Sequence, residues 1–250
     1  LGSSLDHNKK TEESLAAYDM GISKYPYFTS YQLNKAVTYK NAKEYDKSIE
    51  QYKTTLASNP YYSNAHYHLG VLAFNEEKYT QGLLAITMSA LISGNSSVLY
   101  YLDNFAAMNI TVEPKNIALN SSKNMDDFEE LDLILKNKIA LNKKYKTSSS
   151  FTYPFVKQLY TIIENLEYNK DDKGYWMQNY VPYFIALKND NQFENMIYYL
   201  VSMSADEKIS DQVKKKMPEM KAFYQWHNNK WNELQCRTEM TINGKKDTYN

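Results

Sequence analysis

Three stretches of this chain line up 34 residues apart, and that self-similarity limits the fold more than any other feature. The first runs Ser14-Leu15-Ala16-Ala17-Tyr18 and closes at Pro26. The second runs Tyr45-Asp46-Lys47-Ser48-Ile49-Glu50-Gln51-Tyr52 and closes at Pro60. The third, Tyr79-Thr80-Gln81-Gly82-Leu83-Leu84, has no closing proline. Ser14, Ser48 and Gly82 share one slot, and Leu15, Ile49 and Leu83 the next. Upstream, Ala36 aligns with Gly70 and Tyr39 with Ala73. Pairs of antiparallel helices explain the pattern. Small residues at Ala36, Ser48, Gly70 and Gly82 let two helices approach, while Leu33, Tyr39, Tyr52, Leu69, Phe74 and Tyr79 fill the spaces between them. Tyr25-Pro26 and Asn59-Pro60 stop the second helix, because the residue before a proline avoids the α region. Asn41-Ala42-Lys43-Glu44 and Asn75-Glu76-Glu77-Lys78 are the turns inside two of the units.

On these residues the chain resembles the tetratricopeptide repeat (TPR) family, over roughly residues 10 to 96. It departs from the family pattern where His66 replaces an aromatic residue and where Gly82 and Ser89 replace alanines. The first unit is expected to contribute only its second helix, as an array cut inside a longer one would. The resemblance implies stacked helical hairpins whose first helices line a groove that takes a protein segment. Carried over to this sequence, the groove residues are Asn34, Val37 and Lys40 in one unit, and Asn64, Tyr67, His68, Val71 and Asn75 in the next. Tyr67 and Phe74 are the aromatic residues expected to meet a partner. Some TPR domains clamp a C-terminal carboxylate with lysine, asparagine and arginine; here Arg237 is the only arginine, which argues against that ligand. The whole chain is also similar to TPR proteins of Bacteroidota-type bacteria with a C-terminal MORN-like β region, which implies an exported, periplasmic or envelope-associated location.

Beyond the repeats, Ser96 to Met108 reads as one more first helix, capped by Ser96 or Ser97. Asn109 to Asn124 is polar and marks a boundary. A helix is expected from Met125 to about Lys144, and Thr147 to Ser150 breaks the chain again. Pro154 suits the first turn of the next helix, which carries Phe155, Leu159, Ile162, Ile163 and Leu166 on one face. Gly174-Tyr175-Trp176 opens a helix through Leu187 in which Pro182 is either a kink or a true first turn. A hairpin partner starts at Gln192, giving a degenerate repeat unit, and Lys208 to Met217 and Pro218 to Gln235 are the last helices. Alternation at Thr238 to Ile242 before Asn243-Gly244 signals a β-hairpin that opens a β-rich module continuing past Asn250. The expected fold is therefore all-α: a TPR-type superhelix, then irregular or degenerate helical repeats, with a β-hairpin at the C-terminal end. The expected divisions are 1–108 for the array, 109–150 for a linker plus one helix, 151–236 for the C-terminal helical region, and 237–250 for the start of the β segment.

Composition removes several function classes. Acidic and basic residues number 29 each, and the near-absence of arginine removes the usual bidentate reader of phosphate and guanine, so no nucleic-acid partner is expected. No run approaches the length of a membrane span; the longest apolar stretch, Gly82 to Ile92, is interrupted by Thr87 and Ser89. The start lacks both an initiator methionine and a signal-peptide pattern, as a mature or truncated product would. A single cysteine, Cys236, precludes an internal disulfide framework and a cysteine zinc cluster.

No catalytic residue, cofactor or metal ligand is assigned. His66 and His68 are spaced i,i+2 and point to different helix faces, which suits surface or groove residues better than ligands. Asp126, Asp127, Glu129, Glu130 and Asp132 suit a solvated helix start. His227 and Cys236 have no third group to orient them, and Lys214-Lys215-Lys216 reads as a solvated face. Tyrosine is the excess, with 24 in the chain, and serves cores and interfaces alike. The leading expectation is a non-catalytic scaffold binding a protein partner. The alternatives are a ligand or enzyme pocket around Trp176, Tyr180, Tyr183 and Trp226, and a brace for a neighbouring module or subunit within a larger assembly.

Overall fold

The computed structural model describes residues 1–107, 128–147, 149, 151–204, 213–235, 240–242 and 245–247. Its helices are α1 (Gly2–His7), α2 (Thr11–Lys24), α3 (Thr29–Asn41), α4 (Tyr45–Ser58), α5 (Ser63–Asn75), α6 (Tyr79–Ser93), α7 (Ser96–Ala106), α8 (Glu129–Lys136), α9 (Pro154–Asn165), α10 (Tyr175–Asn179), α11 (Val181–Asn189), α12 (Phe193–Ser202) and α13 (Met217–Gln235). A 3₁₀ turn covers Ile139–Leu141. Met240–Ile242 pairs antiparallel with Lys245–Asp247.

The helices pack as successive hairpins, α1/α2, α3/α4 and α5/α6, in a helical repeat. The crossings depend on the small-residue slots. Ser14 Oγ donates to the Gly2 carbonyl at 2.9 Å, and Ser48 Oγ to the Ala36 carbonyl at 2.8 Å. In the third hairpin glycine stands on both sides, and a Cβ on Gly70 would lie 3.0 Å from the Gly82 carbonyl. The turns repeat as closely. Lys9, Lys43 and Glu77 adopt left-handed φ of 60°, 64° and 60°. The next amide in each case reaches back five residues, from Lys10 to Leu5, Glu44 to Tyr39 and Lys78 to Ala73, each at 2.9 Å. That six-to-one bond is the Schellman closure of a helix C-terminus. Asn191 (φ 53°) and the Gln192 to Leu187 bond repeat it between α11 and α12. There Phe184 and Met196 fill the interior, both fully buried, in place of small residues.

Two expectations are corrected. The first hairpin has its own first helix: α1 packs on α2, with Gly2 under the Tyr18 ring in the slot of Ala36 and Gly70. The helix expected to reach Lys144 ends at Lys136, because Lys138 turns left-handed (φ 52°) and the chain tightens into the 3₁₀ turn. Pro182 lies in the first turn of α11, after the chain breaks at Tyr180. The polar boundary 109–124, the expected helix start at 125–127, residues 205–212, Cys236 and the Asn243-Gly244 turn lie outside the described residues.

The apolar run around Gly82 is the centre of the molecule. Every residue of α6 from Thr80 to Leu91 is buried, as expected of a helix without a polar face. The C-terminal half closes over it. From α8, Asp132 Oδ1 accepts the Thr80 amide at 2.6 Å at the start of α6, and Lys136 pairs with Glu77 at 2.6 Å. From α9, Gln158 Nε2 donates to the Ala106 carbonyl, and the Phe155 amide donates to Asp103. One apolar cluster runs without interruption from Leu33 to Trp231.

Candidate protein-binding face

Asn34, Val37 and Lys40 follow one another at three-residue steps along α3 and are half-buried. Asn64, Tyr67, His68, Val71 and Asn75 trace one stripe along α5; Asn64 is exposed and the others half-buried. Val37 and Val71 rest against the core. His68 stacks on Tyr52 with ring centroids 5.5 Å apart, and Tyr67 packs edge-on to His68 and against Tyr101 of α7. Tyr101 in turn meets Tyr100, which is 64% exposed. The row Tyr67-Tyr101-Tyr100 therefore links two first helices through aromatic contact, with one ring largely in solvent.

The charges on this face are sparse. Burial lowers the Lys40 ammonium below the ordinary lysine value, against the opposing pull of Asp6. His68 is pushed down to about 4, by burial first and then by Lys40, so its imidazole is neutral at pH 7. Burial, then Tyr101, raises the Tyr67 phenol, which remains a donor. The face thus offers aromatic area, neutral hydrogen-bonding groups and one cation. Such a surface can hold a protein segment; no proton-transfer pair is assembled on it.

Two residues named from the sequence as partner-facing or surface groups are interior instead. Phe74 is buried, stacked on Phe105 at 4.5 Å and pressed against Gly82. His66 is 2% exposed. Its Nε2 donates to the Pro60 carbonyl at 2.9 Å, since a carbonyl only accepts, and Nδ1 must then accept the Tyr180 hydroxyl at 2.7 Å. With both nitrogens taken, His66 has no lone pair for a metal. Among the described residues no three His, Cys, Asp or Glu side chains converge as a metal site. Tyr101 was within reach of sequence reasoning, because it stands 34 residues after Tyr67.

Of the four aromatic residues named for a C-terminal pocket, Trp176, Tyr180 and Tyr183 are packed interior and Trp226 is half-buried. Tyr180 and Tyr183 are buried, and Tyr183 Oη is hydrogen-bonded to His227 Nδ1 at 2.7 Å. Between α4, α10 and α13 remains a mainly apolar cavity of about 60 Å³, bordered by Leu56, Pro60, His66, Tyr175, Tyr180 and Trp231. That volume suits a water molecule or two, well below the several hundred Å³ of a typical small-molecule site. No helix among the described residues is long and apolar enough to cross a membrane. No family model, curated protein or solved structure matches the chain.

Proposed function

We propose that this chain is a non-catalytic interaction scaffold of the TPR type, which holds a protein segment along the first helices α3, α5 and α7. The observation that carries this reading is the Tyr67-Tyr101-Tyr100 row, a run of aromatic rings bridging two first helices and reaching solvent. Rigid aromatic side chains supply large contact area at low entropic cost and a hydroxyl for hydrogen bonding. Lys40 and Asn64 supply polar handles at the edges of the same face. The C-terminal helices bond at other residues: α8 meets the start of α6, α9 meets α7 at Ala106, and α13 meets the Pro60 turn, none of these bonds using Tyr67, Tyr100 or Tyr101.

The test is purification of the tagged chain from its native cell, with co-purifying proteins identified by mass spectrometry, repeated with Asn34→Ala, Tyr67→Ala and Tyr101→Ala combined. Loss of the specific partner with helicity unchanged is the expected outcome. A partner retained in full by the triple variant would place the binding surface elsewhere. The MORN-like resemblance extends the proposal to an exported or envelope-associated location, which cell fractionation tests.

A further inference from the structure

The repeat extends to the turns between hairpins. Pro26, Tyr27, Phe28 and Gln32 stand 34 residues before Pro60, Tyr61, Tyr62 and His66. The two turns are closed in the same way from within: Gln32 Nε2 donates to the Pro26 carbonyl at 3.4 Å, and His66 Nε2 to the Pro60 carbonyl at 2.9 Å.

At the second turn the chain's own C-terminal helices complete the bonding. Tyr180 Oη, just after α10, donates to the remaining nitrogen of His66. From α13, Trp231 Nε1 donates to the other lone pair of the Pro60 carbonyl at 3.2 Å, and Asn232 Oδ1 accepts the Tyr61 hydroxyl at 2.8 Å. Among the described residues no such bonds cover the first turn. Gln32 Oε1, the counterpart of His66 Nδ1, is buried without a hydrogen-bond partner among the described residues, in a residue only 3% exposed. Such an atom costs free energy until it is paired. In and before the same turn, Tyr27 and Phe28 are 65% and 53% exposed, and Met20 and Tyr25 also lie open.

We infer that the α2–α3 turn is a docking site for an aromatic helix of a partner protein, received as α10 and α13 are received at the α4–α5 turn. The occupant's chemistry follows from the matched positions. An indole N–H meets the free lone pair of the Pro26 carbonyl, an aromatic hydroxyl satisfies Gln32 Oε1, and a side-chain amide accepts from Tyr27. Its apolar face covers Met20, Tyr25 and Phe28. Because Gln32 Oε1 is covered in the unbound chain, the hydroxyl reaches it only as a neighbouring side chain moves aside. A second copy of this chain is a poor occupant, since its own Tyr180 and Trp231 are committed to its own second turn and would have to leave its core.

The probe is a fluorescent synthetic peptide of residues 217–235, titrated into the intact chain, whose own copy of that helix already fills the second turn. Saturable binding is expected by fluorescence anisotropy. Tyr27→Ala with Phe28→Ala should weaken it about tenfold or more, as truncating central aromatic contacts does. Trp231→Ala in the peptide should weaken it likewise, whereas Tyr67→Ala in the chain should leave it unchanged, which separates this site from the first-helix face. Both turn residues are exposed, so circular dichroism should show the double variant folded. Absence of saturable binding up to about millimolar peptide would overturn the inference. So would binding indifferent to the Tyr27 and Phe28 changes, which would mean exchange at the second turn. Self-association of the chain lost in the same double variant would make the occupant a second copy and overturn it as well.

Discussion

Gly82 has no room for a methyl group, because a Cβ there would run into the Phe74 ring, and that ring is itself held by its stack on Phe105. At Gly70 a Cβ would come 2.6 Å from Ile86 Cγ1. Gly70→Ala and Gly82→Ala should therefore each destabilise the chain by about 0–2 kcal/mol net, an overpacking cost of about 1–3 kcal/mol offset by the roughly 1 kcal/mol better helix propensity of alanine. Denaturant unfolding checks both. Either variant proving more stable than the parent would show that the hairpin can open at little cost. The buried histidines make a separate prediction. His66, His68 and His227 are each pushed from 6.5 down to about 4, chiefly by burial. The folded chain keeps them neutral where the unfolded chain protonates them, so the unfolded state binds more protons in that window. Stability is then greatest above the ordinary histidine value of 6.5 and falls progressively as pH drops toward 4. Thermal unfolding between pH 7 and 5 should show this slope before the carboxylates titrate, and a flat profile would contradict it.

Among the elements, α8 ties the two halves together, with Asp132 at the start of α6 and Lys136 on Glu77. Asp132 accepts the Thr80 amide at the start of α6, where helix N–H groups lack internal partners and the N-cap residue Lys78 gives no side-chain cap. Asp132→Ala should cost about 0.5–2 kcal/mol, the range for losing an N-terminal cap. An unchanged denaturation midpoint would show that water replaces the carboxylate. From sequence alone Asp132 reads as serving its own helix, because nothing local reveals that another helix start lies against it. The same limit hid His66, whose partner Tyr180 is 114 residues away. Local spacing carries the hairpins because small residues, turns and prolines recur with the period. It carries α1 poorly, since Gly2-Ser3-Ser4 has a linker's composition and becomes a helix only where Tyr18 packs on Gly2. It also overextends α8, as nothing in Asn137-Lys138 announces the left-handed turn. On the candidate face, Tyr67 and His68 can be read from α5, whereas Tyr100 and Tyr101 acquire meaning only once α7 is set beside it.

At the scale of the whole molecule, the continuous core is what turns a short hairpin array into one body. Repeat arrays gain stability from neighbour to neighbour and can lose cooperativity along their length. Here the C-terminal helices attach at separate points along the array: α9 bonds to α7, Tyr199 of α12 reaches the Leu91 carbonyl in α6, and Trp231 of α13 reaches Pro60 between α4 and α5. The three tryptophans, Trp176, Trp226 and Trp231, all belong to the C-terminal half, whereas the repeat supplies many of the helices. Tryptophan emission therefore reports the covering half and, through Trp231, its contact with the Pro60 turn, whereas far-UV circular dichroism reports every helix. The decisive measurement is urea unfolding followed by the two signals on one sample. Coincident transitions with one midpoint are expected for a single cooperative unit. Tryptophan exposure at lower urea, with the helical signal of residues 1–107 still intact, would contradict a shared core and make the C-terminal half an appendage.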